Sequence, residues 1–362
     1  SFQRLVKSQG YPGISSGINE ATAEYHAGGE VVFFIDGLRY DIAHRLSERL
    51  EPLGELELKH TWAALPSVTA TAKSAITPVS DRIIGRETDR DFVPSLAESD
   101  TDFSSHYLRK YLVEKGWTYL EEGELGDTAK NAWVQNGDID KEGHVKQLKL
   151  ATQIDSLLDE IQERIEELLA AGWARIRIVT DHGWLLLPET MPKVSLPKTL
   201  TETRWGRCAV IKESVDSGFQ QVGWYWNPNV SIAVAPGVSS FIAGHHYDHG
   251  GLSLQECMTP VITLRNARAA KGKQEATAEI KGIRWLGLNC RVSVLTDIDG
   301  VTAVLRTRVA DDSSFISKPK PIKDGKCSLM VDDEFEGESA VLVLLDSNGE
   351  VIAKKSTFVG ED

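Results

Sequence analysis

Apolar residues fall in runs whose period predicts the elements they build. Val31-Val32-Phe33-Phe34-Ile35 is an unbroken apolar run stopped by Asp36-Gly37, the pattern of a strand buried on both faces of a parallel sheet. Residues 41–50 read as a helix, Leu56–Thr61 as a second extended run, and Ala70–Ile76 as a small-residue segment after Leu65-Pro66-Ser67-Val68-Thr69. Helical spacing returns at 103–115 and at 144–171, where Ile154, Leu157, Leu158, Ile161, Ile165, Leu168 and Leu169 recur at three- and four-residue steps until Gly172. Ala174–Thr180 is another strand, and short β-like runs follow at 207–212, 230–235 and 260–264. Strands alternating with helices predict an α/β domain with a largely parallel sheet over residues 29–270.

Two stretches break that grammar. Residues 1–28 are polar, punctuated by Gly and Ser, and show no core face. Residues 271–362 carry short alternating runs at 289–309, 327–331, 340–345 and 350–358, with Ser347-Asn348-Gly349-Glu350 as a hairpin turn signal. They predict a small all-β domain, read as a sandwich.

Composition narrows the class. Hydrophobic residues make up 41% of the 362 positions and charged residues 26%, which excludes wholesale disorder and fibrous repeats. The sequence contains neither a membrane-length apolar run nor a secretory leader pattern, so the expectation is a cytoplasmic protein with no membrane partner. With 40 Lys+Arg against 53 Asp+Glu the net charge is −13, which argues against coating of DNA by the whole surface yet allows a phosphate site whose positive charge is supplied by bound metal. Cys208, Cys257, Cys290 and Cys327 are far apart and have no thiolate-zinc spacing.

Chemistry-bearing residues gather at element ends. Asp36 and Asp181 each close an apolar strand, and in open α/β sheets ligands sit beyond the carboxyl ends of strands. Taken alone, each is as readily a turn-forming or helix-capping Asp. Asp181 is followed by His182, giving two metal-competent side chains together. Asp140 and His144 stand four residues apart before a long helix, with Asp138 a neighbouring competitor, and alone they read as a cap and a solvated imidazole. His245, His246 and His249 crowd one glycine-flanked turn. Ser67, Thr69 and Thr71 precede or open a helix-forming segment, where a hydroxyl is usually an N-cap but can also sit beside an anion.

In this order the pieces resemble the metal-binding core of the alkaline phosphatase superfamily: an early strand-end Asp36, a hydroxyl nucleophile Thr69, the pair Asp140/His144, the pair Asp181/His182 and a late His249. Phe-Ile-Asp-Gly-Leu-Arg-Tyr-Asp, Leu-Pro-Ser-Val-Thr, Val-Thr-Asp-His-Gly-Trp-Leu and His-Gly-Gly-Leu-Ser-Leu-Gln-Glu resemble PglZ proteins of BREX phage-defence systems. The resemblance implies an alkaline-phosphatase-like, mostly parallel sheet flanked by helices. It also implies two divalent metal ions, Zn with Mn as the alternative. One would lie on Asp36, Asp181 and His182 beside Thr69, the other on Asp140, His144 and His249. The implied activity is phosphodiester or phosphomonoester hydrolysis with a Thr nucleophile, on DNA or a nucleotide, alongside other BREX proteins. PglZ proteins are usually longer, so the chain reads as a catalytic portion plus a terminal β domain.

Ile76-Thr77-Pro78 departs from the Thr-Gly that many superfamily members carry after the nucleophile, leaving Thr71 and Ser67 as alternatives to Thr69. Competing functions are a phosphomutase or small-metabolite phosphomonoesterase, and a non-catalytic scaffold in a defence complex. Lys73 and Arg39 are the nearby candidates to clamp a substrate oxygen. Lys318, Lys320, Lys323 and Lys326 form a basic, Pro-punctuated loop that is either a solvated connector or a nucleic-acid contact.

Overall fold

Strand β1 (Glu30–Asp36) lies near the middle of a six-stranded sheet whose edges are β2 (Gly54–Trp62) and β3 (Thr118–Leu120). The computed structural model describes residues 1–15, 28–86, 91–196, 200–212, 217–266, 278–296, 300–307, 314–346, 349 and 351–360. With β4 (Ala132–Asp138), β5 (Arg175–Val179) and β6 (Met258–Asn266), the strand order is β2-β6-β5-β1-β4-β3. The β1–β4, β1–β5 and β3–β4 pairings are parallel, while β6 runs antiparallel to both its neighbours. The sheet is therefore mostly parallel, as expected.

Strand side chains alternate between faces, and both faces of β1 are buried. Val31, Phe33 and Ile35 join one apolar cluster, which also holds Ile42, Leu46 and Leu50 of α1 (Tyr40–Leu50) and Leu158, Ile161, Ile165 and Leu168 of α2 (Ile154–Ala170). Val32 and Phe34 join a second, on the other side, with Ala72 and Ala75 of α3 (Thr69–Ala75) and Leu108 and Leu112 of α4 (Ser105–Glu114). Burying each such large side chain stabilises by about 1.5–3 kcal/mol, so β1 is pinned from both layers. That fixes where its terminal Asp36 emerges.

Three expectations change. The helix predicted over 144–171 is broken: α5 (Ile139–Lys146) ends at Gln147, whose φ of 52° leaves the helical region, a 3₁₀ stretch spans Gln147–Thr152, and α2 starts at Ile154. The apolar period is genuine only from Ile154 onward. The N-terminal residues do have a core face: the helix Phe2–Gln9 buries Val6, and Tyr11 beyond it, against Leu65, Val234, Leu252 and Cys257. Val6 and Tyr11 stand five positions apart, a step that matches no helical period. A strand also spans Ala278–Leu286, which the sequence pattern did not predict.

The chain divides into two compact units, Ser1–Ala269 and Ala270–Asp362. The second contains a three-stranded and a four-stranded antiparallel sheet. Trp285, Val292, Ala303, Leu305, Leu342 and Leu344 from the two sheets share one apolar cluster. Ser347, Asn348 and Glu350 of the expected hairpin turn lie outside the described residues. In the basic segment, Lys320 Nζ donates to the Ser328 carbonyl within this unit, and Lys320-Pro321 form a short exposed strand.

Candidate metal centre and nucleophile

The carboxyl ends of β1, β4 and β5 deliver the acidic residues. Asp36 and Asp138 are register partners on β1 and β4, and Asp181 follows β5 by two residues. The turn after β1 needs Gly37: its φ is +72°, a region glycine enters freely, and an added Cβ would lie 3.0 Å from Asp140 Cβ. The Gly37 N–H donates to Asp181 Oδ1 at 3.3 Å, the Leu38 N–H to Thr180 Oγ1 at 3.0 Å, and Trp184 Nε1 to the Gly37 carbonyl at 2.8 Å. These bonds tie the two strand ends into one rigid edge.

Asp138 is the cap of α5, accepting from the Lys141 N–H at 2.9 Å. That frees Asp140 to turn inward, where it is buried and accepts from the Tyr247 hydroxyl at 2.7 Å. Tyr247 gets that close because residue 143 is glycine; a Cβ there would lie 2.3 Å from the tyrosine ring. Of the histidine-rich turn only His249 joins the cluster. His246 Nδ1 faces the Leu187 carbonyl at 3.1 Å, and His245 Nδ1 lies 3.5 Å from Asp248 Oδ2.

The six candidate ligands converge. His249 Nε2 lies 3.2 Å from Asp140 Oδ1 and 3.1 Å from His144 Nε2, which is 3.4 Å from Asp140 Oδ2. His182 Nε2 lies 3.5 Å from Asp181 Oδ2 and 3.8 Å from Asp36 Oδ1. The His182 and His249 rings stack with centroids 3.9 Å apart, which joins the two halves. Asp36, Asp181 and His182 form one compact three-ligand set; Asp140, His182 and His249 form another. His182 thus reaches both sets, whereas the resemblance gave it to one. Each imidazole faces a carbonyl with Nδ1, His182 that of Gly183 at 3.1 Å and His249 that of Ser67 at 3.0 Å. A carbonyl only accepts, so Nδ1 carries a proton in each ring and both Nε2 atoms point into the cluster.

Electrostatics describes a site short of positive charge. Burial, then the Asp181 charge, pushes the Asp36 carboxyl up to about 8. Burial, then Asp140, pushes Asp181 up to about 6. Burial and the neighbouring His249 hold His182 down at about 4, so it stays neutral. Burial opposes ionisation of Asp140 too, but His249, His182 and His144 outweigh it and hold that carboxyl below its ordinary value. Asp36 Oδ1 and Asp181 Oδ2 are buried with no hydrogen-bond partner. Buried carboxylate oxygens without donors are costly. Three carboxylates with three imidazole lone pairs are a donor set suited to divalent ions such as Zn²⁺ or Mn²⁺, and the unpaired oxygens fit that occupancy.

Thr69 is the first residue of α3, and its Oγ1 lies 3.1 Å from His182 Nε2. The alternatives are committed elsewhere. Ser67 is fully buried and donates to the Gly251 carbonyl at 2.9 Å. Thr71 donates to the Phe92 carbonyl and accepts from Trp224 Nε1. Arg39, a candidate clamp, stacks its guanidinium 4.0 Å from the Trp184 ring centroid and pairs with Asp41. Lys73 faces Gln135, with Nζ 2.6 Å from Oε1. Sequence reasoning missed Tyr247, whose only signal was its place between His246 and His249. It also missed the fully buried pair Arg207–Glu256, whose carboxylate accepts from the Gly251 N–H at 2.8 Å.

A curated relative from Bacillus cereus (strain H3081.97), "Alkaline phosphatase-like protein PglZ", is 22% identical over 277 residues, which is 68% of this chain and 32% of the relative. The chain thus spans about a third of that protein's length. Among solved structures, an inactive variant of murine ectonucleotide pyrophosphatase/phosphodiesterase 5 in complex with AMP aligns with a TM-score of 0.41 at 10% identity, covering 66% of this chain and 88% of that one. The model of the BREX system PglZ alkaline phosphatase-like domain matches residues 23–264, well over half of the sequence, and the chain belongs to that family.

Proposed function

We propose that the first unit is a divalent-metal-dependent phosphoryl hydrolase with Thr69 as its nucleophile, acting on phosphodiesters in a cytoplasmic phage-defence system with other BREX proteins. The observation that carries this reading is the convergence of Asp36, Asp140, His144, Asp181, His182 and His249 into one cluster, with the Thr69 hydroxyl beside His182 at its edge and two carboxylate oxygens buried and unpaired. Asp36, Asp181 and His182 would hold one ion beside Thr69, and Asp140, His144 and His249 the other. Divalent ions bound there would supply charge stabilisation for the attacking and leaving oxygens of an in-line displacement.

The remaining contributions come from the chain. The first turn of α3 holds Thr69 at the cluster's edge beside His182, which supports its Oγ1 as the attacking group. The Nδ1 contacts of His182 and His249 hold their Nε2 atoms inward, and Tyr247 fixes one oxygen of Asp140. Burial pushes the Tyr247 hydroxyl well above its ordinary range, and Asp140 adds to that, so it remains a donor. The diester preference rests on the small side chain Ala70, which lines the same cleft as Thr69, and on the defence setting, with DNA or a nucleotide as the natural class of substrate; Ala72 and Ala75, expected at the mouth of the site, are buried in the core instead.

The test is elemental analysis of purified protein together with kcat/KM for bis(p-nitrophenyl) phosphate and p-nitrophenyl phosphate at fixed metal. Bound metal and a diester preference are expected. A monoester preference would instead favour a phosphomonoesterase or phosphomutase. No turnover of either ester with metal bound would favour the scaffold.

A further inference from the structure

Lys73 stands one helical turn after Thr69 on α3, so both residues face the same side of that helix. Its Nζ sits 4.7 Å from the Phe34 ring centroid and donates to Gln135 Oε1. Phe34 and Gln135 are register partners on β1 and β4, two or three residues before Asp36 and Asp138. An ammonium has three donors, and Gln135 takes one. Among the described residues, no carboxylate lies within ion-pair distance of Nζ, although Asp181 and Asp36 are near enough to act on it through space. A half-buried cation with spare donors, beside a nucleophile and unspent on any carboxylate, is a group prepared for an anion.

Thr69 and Lys73 also line a cleft of about 240 Å³, whose other walls include Val93, Phe103, Ser105 and Leu108. Leu108 is buried and Phe103 packs against the second core cluster, so the apolar wall is backed by rigid structure. The wall offers apolar and aromatic surface, and Ser105 adds a hydroxyl at the start of α4.

Given the phosphoryl-transfer reading, on which this rests, we propose that the cleft is the subsite for the retained organic group of an aromatic phosphate ester, with Lys73 binding a non-bridging phosphoryl oxygen. The direction follows from stereochemistry. In an in-line displacement the leaving group departs opposite the attacking oxygen. A cleft walled by Thr69 itself lies on the attacking side, so it holds the substituent that stays on phosphorus. The chemical class is a phosphate carrying a flat aromatic substituent, which includes nucleotide esters.

The test reads equilibrium binding, in metal-loaded Thr69→Ala protein, by calorimetry with inorganic phosphate and phenyl phosphate as probes. Lys73→Met should weaken both by roughly 10- to 100-fold, the range for a lost charged hydrogen bond, and Lys73→Arg should restore most of it. Phe103→Ala should weaken phenyl phosphate by about 10-fold, the effect of removing an aromatic contact, and leave inorganic phosphate within about twofold. Unchanged inorganic phosphate binding also shows that Phe103→Ala is folded. Equal affinities across the variants, or no binding of either probe, would overturn the subsite. If these shifts appear while the wild-type protein hydrolyses no ester, the subsite stands and the hydrolase reading fails.

Discussion

His249 Nδ1 lies 3.0 Å from the Ser67 carbonyl oxygen, and the Ser67 hydroxyl returns a 2.9 Å bond to the Gly251 carbonyl. Two segments about 180 residues apart in sequence are thus stitched twice, one carrying the candidate nucleophile and the other the last candidate ligand. Ser67→Ala keeps the carbonyl but removes the return bond. It should cost about 1 kcal/mol, because the buried Gly251 carbonyl is left with only the weak Cys257 thiol donor at 3.5 Å. Loosening His249 should also lower metal affinity at that end by about 10-fold, the lower range for outer contacts of metal ligands. Thermal unfolding and competition with a chelator check the two effects separately.

Thr69→Ala should abolish ester hydrolysis while metal content stays unchanged. The residue contributes one contact to His182 and no side-chain cap to α3. The change should therefore cost no more than about 1 kcal/mol in urea unfolding. Retained turnover would leave a water as the attacking group, since Ser67 and Thr71 are buried and hydrogen-bonded elsewhere.

The strand ends were legible because a parallel sheet writes its central strands as apolar runs and its site at their termini: Asp36 and Asp181 follow from that rule. The pairing of Asp140 with His249 does not, because no local period reports a contact across 109 positions of chain. Order and spacing against a known family supplied it. Asp138 and Asp140 are chemically equivalent in sequence, and only the cap bond from Lys141 separates their roles. Tyr247, Lys73–Gln135 and Arg207–Glu256 are long-range side-chain pairs, which leave no mark in periodicity. The N-terminal helix escaped notice because Val6 alone on its face is buried, too little for a periodic signal.

Arg207 and Glu256 form a fully buried bidentate pair, and the same carboxylate holds the Gly251 N–H. Breaking such a pair from one side leaves an unpaired buried charge and costs about 3–5 kcal/mol. Glu256→Gln should therefore lower stability strongly in urea unfolding, and Glu256→Ala at least as much. Burial opposes the Glu256 charge, but Arg207 outweighs it and holds the carboxyl below its ordinary 4.5. The folded state then binds fewer protons here than the unfolded state, so stability rises with pH across that interval. The contribution is fully present above 4.5 and is lost as pH falls through the lowered value. Wild-type protein should show this acid-side loss, and Glu256→Gln should show a smaller one over the same range.

Asp36 should change the sign of its effect on stability with metal. In the metal-free protein its carboxyl is buried against Asp181, and Asp36 Oδ1 and Asp181 Oδ2 have no donor. Asp36→Asn removes one of two crowded acids and brings an amide N–H₂ into that space, so the stripped variant should be more stable than stripped wild type by about 1–3 kcal/mol. With a divalent ion bound, the same oxygen becomes a ligand, and wild type gains RT ln(1 + [L]/Kd), about 2.7 kcal/mol at 100-fold excess over Kd. Asn binds the ion more weakly and forgoes most of that gain. The unfolding midpoints of wild type and variant should therefore cross between chelator-treated and zinc- or manganese-loaded samples. Parallel shifts, with Asp36→Asn below wild type in both conditions, would mean that Asp36 serves the fold through contacts unrelated to metal.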